Sequence, residues 1–164
     1  MSITYIEKGA DLHAAIVAGG HWLKRIDGVW TCSDEVAVQA IIDGYTLAQA
    51  KSDRKREISS IARTKYDAVT TGISAAEMAG WPILLSESVS YRAGGTTHPA
   101  LDAEAYVRGI SVEALVQKVE GNAAAFQSAR AAIAGTDGRK RDQVDALMTF
   151  EQVAAYDVAG GWPL

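Results

Sequence analysis

The chain has 164 residues, 48% of them hydrophobic, with a formal net charge of −4 and a single cysteine. That length suits one domain, or a small module joined to a helical one, and alanine supplies so much of the hydrophobic share that the core should be thin and built from closely approaching helices. The acidic balance argues against a general nucleic-acid binder, the lone Cys32 leaves no internal disulfide and fits a reducing cytoplasm, and no apolar run approaches the roughly 20 residues of a membrane-spanning helix.

Met1 to Lys8 lacks the basic start and long apolar stretch of a signal peptide, so a soluble chain made without export is expected. Ile3 to Glu7 reads as a short strand. Asp11 is placed to cap a short helix carrying Leu12, Ala15 and Ile16 on one face, closed by Gly19-Gly20. Trp22 to Ile26 and Val29 to Cys32 flank Asp27-Gly28, the pair that a type I′ hairpin turn favours because both central residues need positive φ. Trp22 and Trp30, on opposite arms, are expected to pair across the hairpin. Ser33 or Asp34 then caps a helix that turns Val38, Ile41 and Ile42 inward and stops at Gly44. Residues 1–45 thus form a small α+β module of strand, helix, hairpin and helix.

Residues 46–164 read as an antiparallel helical bundle with a non-helical C-terminal tail. No proline or glycine interrupts Leu47 to Thr71, where Leu47, Ala50, Ile58, Ile61, Ala62 and Val69 make an apolar stripe. Ser74-Ala75-Ala76-Glu77 is a capping box opening the next helix. Pro82 is expected to kink or interrupt that helix before it resumes through Leu84, Leu85, Val89 and Tyr91. Gly94 to Pro99 is a loop, and Asp102 to Val107 a brief helical segment. Ser111 caps a long helix with Val112, Leu115, Val119, Phe126 and Ile133 in its stripe. Gly135-Thr136-Asp137-Gly138 offers a break, after which Arg139 to Met148 resumes helix. Thr149-Phe150-Glu151-Gln152 is a second capping box, and Gly160-Gly161-Trp162-Pro163 lies in the tail.

Residues of the catalytic types are scattered. His13, His21 and His98 lie far apart with no HxxxH spacing, and no second cysteine helps build a closed zinc site. Cys32 reads as a small strand-end hydrophobe, since Asp34 and Glu35 oppose a thiolate. Ser86, Ser88 and Ser90 have no GxSxG elbow around them, and no glycine pair is followed by the Lys-Ser/Thr of a phosphate loop. A non-enzymatic chain without metal or cofactor is the expectation. The basic face of Lys51, Arg54, Lys55 and Arg56, interleaved with Asp53 and Glu57, reads as a solvated helix face or an interface rim. Trp162 and Leu164 end the chain after a double glycine as candidate contact residues, and Trp162 is either a core residue or an anchor for a neighbouring subunit.

Two blocks resemble small tail-associated proteins of tailed bacteriophages and prophages. The first is Asp27-Gly28-Val29-Trp30, Ser33-Asp34-Glu35 and Val38-Gln39-Ala40-Ile41-Ile42-Asp43-Gly44-Tyr45, leading into Ala50-Lys51 and Lys55-Arg56-Glu57-Ile58. The second is Trp81-Pro82-Ile83, an acid-containing helix to Tyr91, Pro99-Ala100-Leu101, then Arg108-Gly109-Ile110-Ser111-Val112-Glu113-Ala114-Leu115, Lys118-Val119, Asn122 to Phe126, and Ala134-Gly135 to Arg139. The resemblance implies a structural or adaptor component of the tail fibre or baseplate region, or else a fibre-assembly chaperone absent from the mature virion. It implies fibre or baseplate subunits as partners, with a homo-oligomer open, and neither nucleic acid nor membrane. The implied location is the virion tail, with the host cytoplasm during assembly. The family offers no catalytic residues to carry over.

Overall fold

The computed structural model describes residues 8–163. The strand expected over Ile3–Glu7 and the contact residue expected at Leu164 lie outside the described residues. The fold is α+β and predominantly α, with a small two-stranded antiparallel hairpin between helices followed by packed helices. In chain order the elements are α1 (Ala10–Ala18), β1 (Leu23–Ile26), β2 (Val29–Cys32), α2 (Glu35–Gly44), α3 (Leu47–Val69), α4 (Ala75–Arg92), α5 (Pro99–Arg108), α6 (Val112–Ala146) and α7 (Phe150–Ala155).

Local chemistry sets the boundaries. Asp11 lies inside the first turn of α1 instead of capping it; the cap position is Gly9, which makes no side-chain cap bond. A carboxylate one step into the helix still meets the positive end of its dipole. Asp27 and Gly28 both take positive φ, 49° and 84°, as the hairpin turn requires. Asp34, not Ser33, caps α2, its Oδ1 accepting from the N–H groups of Val36 and Ala37 at 3.0 Å. Ser33 instead accepts the Trp22 backbone N–H, and its own N–H donates to the Trp22 carbonyl, extending the hairpin by one pair. The C-terminal end of α2 is held by Lys8, whose ammonium donates to the carbonyls of Ile42 and Tyr45.

Two compact units result. One holds the described residues through Arg63 together with Gly135–Trp162. Its core has two clusters: Leu12, Ile16, Leu23, Val38, Ile42 and their neighbours, joined by Val153 of α7, and a second around Ile58, Val144 and Val158. Within this unit Lys55 of α3 pairs with Asp145 of α6 at 2.7 Å.

The other unit spans Thr64–Ala134. Its core is Leu101 and Ala105 of α5 against Leu115 and Val116 of α6, with Leu84 and Tyr91 of α4 packed beside them. Pro99 opens α5 at a position where its missing N–H is harmless, and Glu87 of α4 accepts the next two N–H groups, from Ala100 and Leu101. The brief segment expected from Asp102 is therefore a full helix from Pro99 to Arg108, ended by Gly109 in the left-handed region.

Three further expectations are corrected. Pro82 does not interrupt α4, which runs through it from Ala75 to Arg92. Proline's fixed φ is itself helical, the lost hydrogen bond and ring clash cost roughly 3 kcal/mol, and on either side of it Trp81 packs against Phe126 and Leu84 against the cluster of Leu101 and Leu115. Gly135 and Gly138 do not break α6, which continues to Ala146. Ile133, Lys140 and Val144 recur on its buried side at spacings of seven and four, so the helix face continues past both glycines. Trp22 and Trp30 do not pair. The register sets Leu23 against Cys32 and Arg25 against Trp30, which places Trp30 on the core side and Trp22 on the opposite face.

Candidate functional site

The basic run of α3 is spent largely on helix ends. Lys51 donates to the Asp145 carbonyl at the C-terminus of α6, at 2.8 Å. Arg54 donates through Nε to the Val153 carbonyl and through Nη2 to the Ala154 carbonyl, at the C-terminus of α7. These cations thus meet the unpaired carbonyls and negative ends of two helices. Lys55 binds the Asp145 carboxylate and holds it below its ordinary value. Arg56 alone keeps most of its side chain in solvent, paired with Asp53.

Trp162 has contacts of its own within the chain. It packs on the cluster of Ile58, Val144 and Val158, and its indole N–H donates to the Val158 carbonyl at 2.8 Å. Lys140, buried, donates to the Asp157 carbonyl at 2.8 Å with its ammonium 5.5 Å from the Tyr156 ring and 6.0 Å from that of Trp162. The Asp157 carboxylate accepts the N–H groups of Gly160 and Ala159, which lower its pKa. The segment 156–162 is thereby fastened to α6 by a cation, two rings and an aspartate turn.

The hairpin presents a different surface. Leu23, Trp30 and Cys32 face the core, whereas Trp22, Ile26 and Val29 lie on the other face and stay 44%, 52% and 54% exposed. Lys24, the one charged side chain of that face, lies over the Trp22 ring at 5.3 Å. Three large apolar side chains are thus left half in water on one side of the sheet, as one apolar patch. The signal was present in the sequence, where Trp22, Lys24 and Ile26 alternate with Leu23 and Arg25.

The second unit holds a cleft of about 300 Å³ between α4, α5 and α6. Its apolar wall is Trp81, Leu84, Leu115 and Val119, and Trp81 is steadied by an edge contact with Phe126 at 5.3 Å. Glu77, Lys118 and the Glu104–Arg108 ion pair form the rim. Gly80 lines it as well, and a Cβ there would meet nothing within 4 Å. Two cation–carboxylate contacts stand nearby, Arg92 with Glu113 and Glu120, of which the first keeps Glu113 below its ordinary pKa.

The residues of catalytic type stay apart. Cys32 is half-buried beside the hairpin core, and His21 Nδ1 lies 3.2 Å from the Ser33 hydroxyl. His98 is buried before α5, with Nε2 donating to the Gly95 carbonyl at 2.7 Å and its ring edge-on to Tyr91. Among the described residues no group of three or more His, Cys, Asp or Glu is placed to hold a metal ion, and no helix is long and apolar enough to cross a membrane. Tyr45, hydrogen-bonded to Asp53, has its pKa pushed up to about 12 by burial first and by the Asp11 charge second. Comparison of the chain with known protein families, with curated proteins and with solved structures finds no match.

Proposed function

We propose that this chain is a non-enzymatic bacteriophage tail protein, a structural or adaptor component of the fibre or baseplate region that works by protein–protein contact. The sequence resemblance supplies the setting, and the observation that carries the contact role is the outward hairpin face of Trp22, Ile26 and Val29. Covering the exposed halves of three such side chains is worth about 1 kcal/mol each, which gives a partner a reason to bind there. The core on the other side of the hairpin holds the face in place, so docking needs no refolding.

Trp22→Glu tests this reading. The side chain points away from the core, so the fold should survive at a cost of about 1 kcal/mol, much of it the lost contact with Lys24. Particles assembled with the variant should lose the chain while the folded protein accumulates in the lysate. Normal incorporation of the variant would refute the hairpin face as the contact. Absence of the unaltered chain from purified particles would favour the assembly chaperone.

A further inference from the structure

We infer that the partner docking on the outward hairpin face brings a carboxylate to Lys24, set between two apolar contacts. This inference rests on the tail-contact reading above and names the chemistry of the segment that docks. Strand pairing orders the face in cross-strand rows: Trp22 with Ser33 at the base, Lys24 with Thr31 in the middle, and Ile26 with Val29 beside the turn. Apolar side chains thus stand at both ends of the face, about 13 Å apart along β1, with a cation between them.

The other polar side chains of the face already have partners. The Thr31 hydroxyl donates to the Lys24 carbonyl at 3.3 Å, and the Ser33 hydroxyl accepts the Trp22 backbone N–H. The Lys24 ammonium has only the Trp22 ring beneath it, and no carboxylate meets it among the described residues. Asp27, the one acid of the hairpin, lies in the turn beyond Ile26 and Val29, where Arg25 from the other face reaches the Gly28 carbonyl. A partner cannot cover the Trp22 ring without also covering the ammonium above it. A wholly apolar partner would strip that charge of water and give nothing back, at a cost greater than the gain from three half-covered side chains. A carboxylate returns both the acceptor and the opposite charge. The docking segment therefore carries an aspartate or glutamate flanked by apolar side chains, one set on Trp22 and the other on the Ile26–Val29 pair.

Competitive incorporation into particles tests this. Each variant is supplied in the infected cell beside the unaltered chain, and mass spectrometry reads the ratio of the two in lysate and in purified particles. Lys24→Arg should enter near parity, whereas Lys24→Met and Lys24→Glu should each fall about tenfold or more below their lysate ratio. Lys24 is exposed, so all three variants should keep the parent's circular dichroism. Lys24→Met discriminates, since a wholly apolar partner would accept it. A carbodiimide, which joins an ammonium to a touching carboxylate as an amide, should couple Lys24 to an Asp or Glu of another tail protein in unaltered particles. Trp22→Glu separates this inference from the reading beneath it. Entry of Trp22→Glu at parity removes the hairpin contact and the carboxylate with it. Exclusion of Trp22→Glu, with Lys24→Met entering at parity or Lys24 left uncoupled, keeps the hairpin contact and overturns the carboxylate.

Discussion

Replacing Gly135 and Gly138 with alanine should stabilise the protein, and the size of the gain follows from the course of α6. Both glycines lie inside the continuous helix Val112–Ala146, neither has positive φ, and a Cβ at either would meet nothing within 4 Å. Alanine then removes backbone entropy from the unfolded chain and adds no clash. Each replacement is worth about 1 kcal/mol in a helix interior, so the pair should give about 2 kcal/mol. For a chain of this size each kcal/mol moves Tm by roughly 2–4 °C, so thermal melting followed at 222 nm should rise by about 4–8 °C. A turn at 135–138, as the glycines and Asp137 suggest in isolation, would place at least one glycine where alanine is strained. The double variant would then melt lower than the parent, and that result would refute the continuous helix.

The fastening of the C-terminal segment gives two more predictions. Lys140→Ala loses a charged hydrogen bond and two ring contacts and should destabilise by about 2–4 kcal/mol, and a double-mutant cycle with Trp162→Leu, which removes the ring, should show a coupling of about 0.5–1 kcal/mol; additive effects would disprove the cation–ring contact. The Asp157 carboxylate has a lowered pKa in the folded chain, so its contribution is present above the ordinary aspartate value near 4 and is lost as pH falls through the lowered one. Trp162 emission should therefore shift in that acid range, and Asp157→Asn, which keeps the acceptor oxygen, should flatten the shift. At the alkaline end, folded Tyr45 keeps its proton up to about 12 while the unfolded chain releases it near 10, so its contribution is full below 10 and disappears between 10 and 12. Tyr45→Phe should remove that part of the alkaline loss in denaturant titrations. Asp34→Ala, which frees the two N–H groups it caps, should cost about 1 kcal/mol in the same assay.

Short-range chemistry was readable in the sequence. The Asp27-Gly28 turn, the Ser74 cap and the Thr149–Gln152 box, whose side chains bond each other's backbone N–H reciprocally, stand where their residue types put them. Pro82 and Gly135-Gly138 misled because a local breaker acts only until burial on both sides outweighs it. The roles of Lys51, Arg54 and Lys55 were hidden for another reason: their acceptors at Asp145, Val153 and Ala154 lie some ninety to a hundred residues along the chain. Trp22 and Trp30 could have been separated by counting. A two-residue turn at 27–28 makes partner numbers sum to 55, and these two sum to 52. The cleft left no comparable trace, since it needs three helices brought together and α5 gave only a brief helical pattern.

Quantitative mass spectrometry of purified particles from the phage or prophage that encodes this chain tests the central proposal most directly. A structural or adaptor tail protein should be present at a fixed copy number, in multiples of three or six, retained through gradient purification. A chain abundant in infected-cell lysate yet missing from the particles would contradict that role.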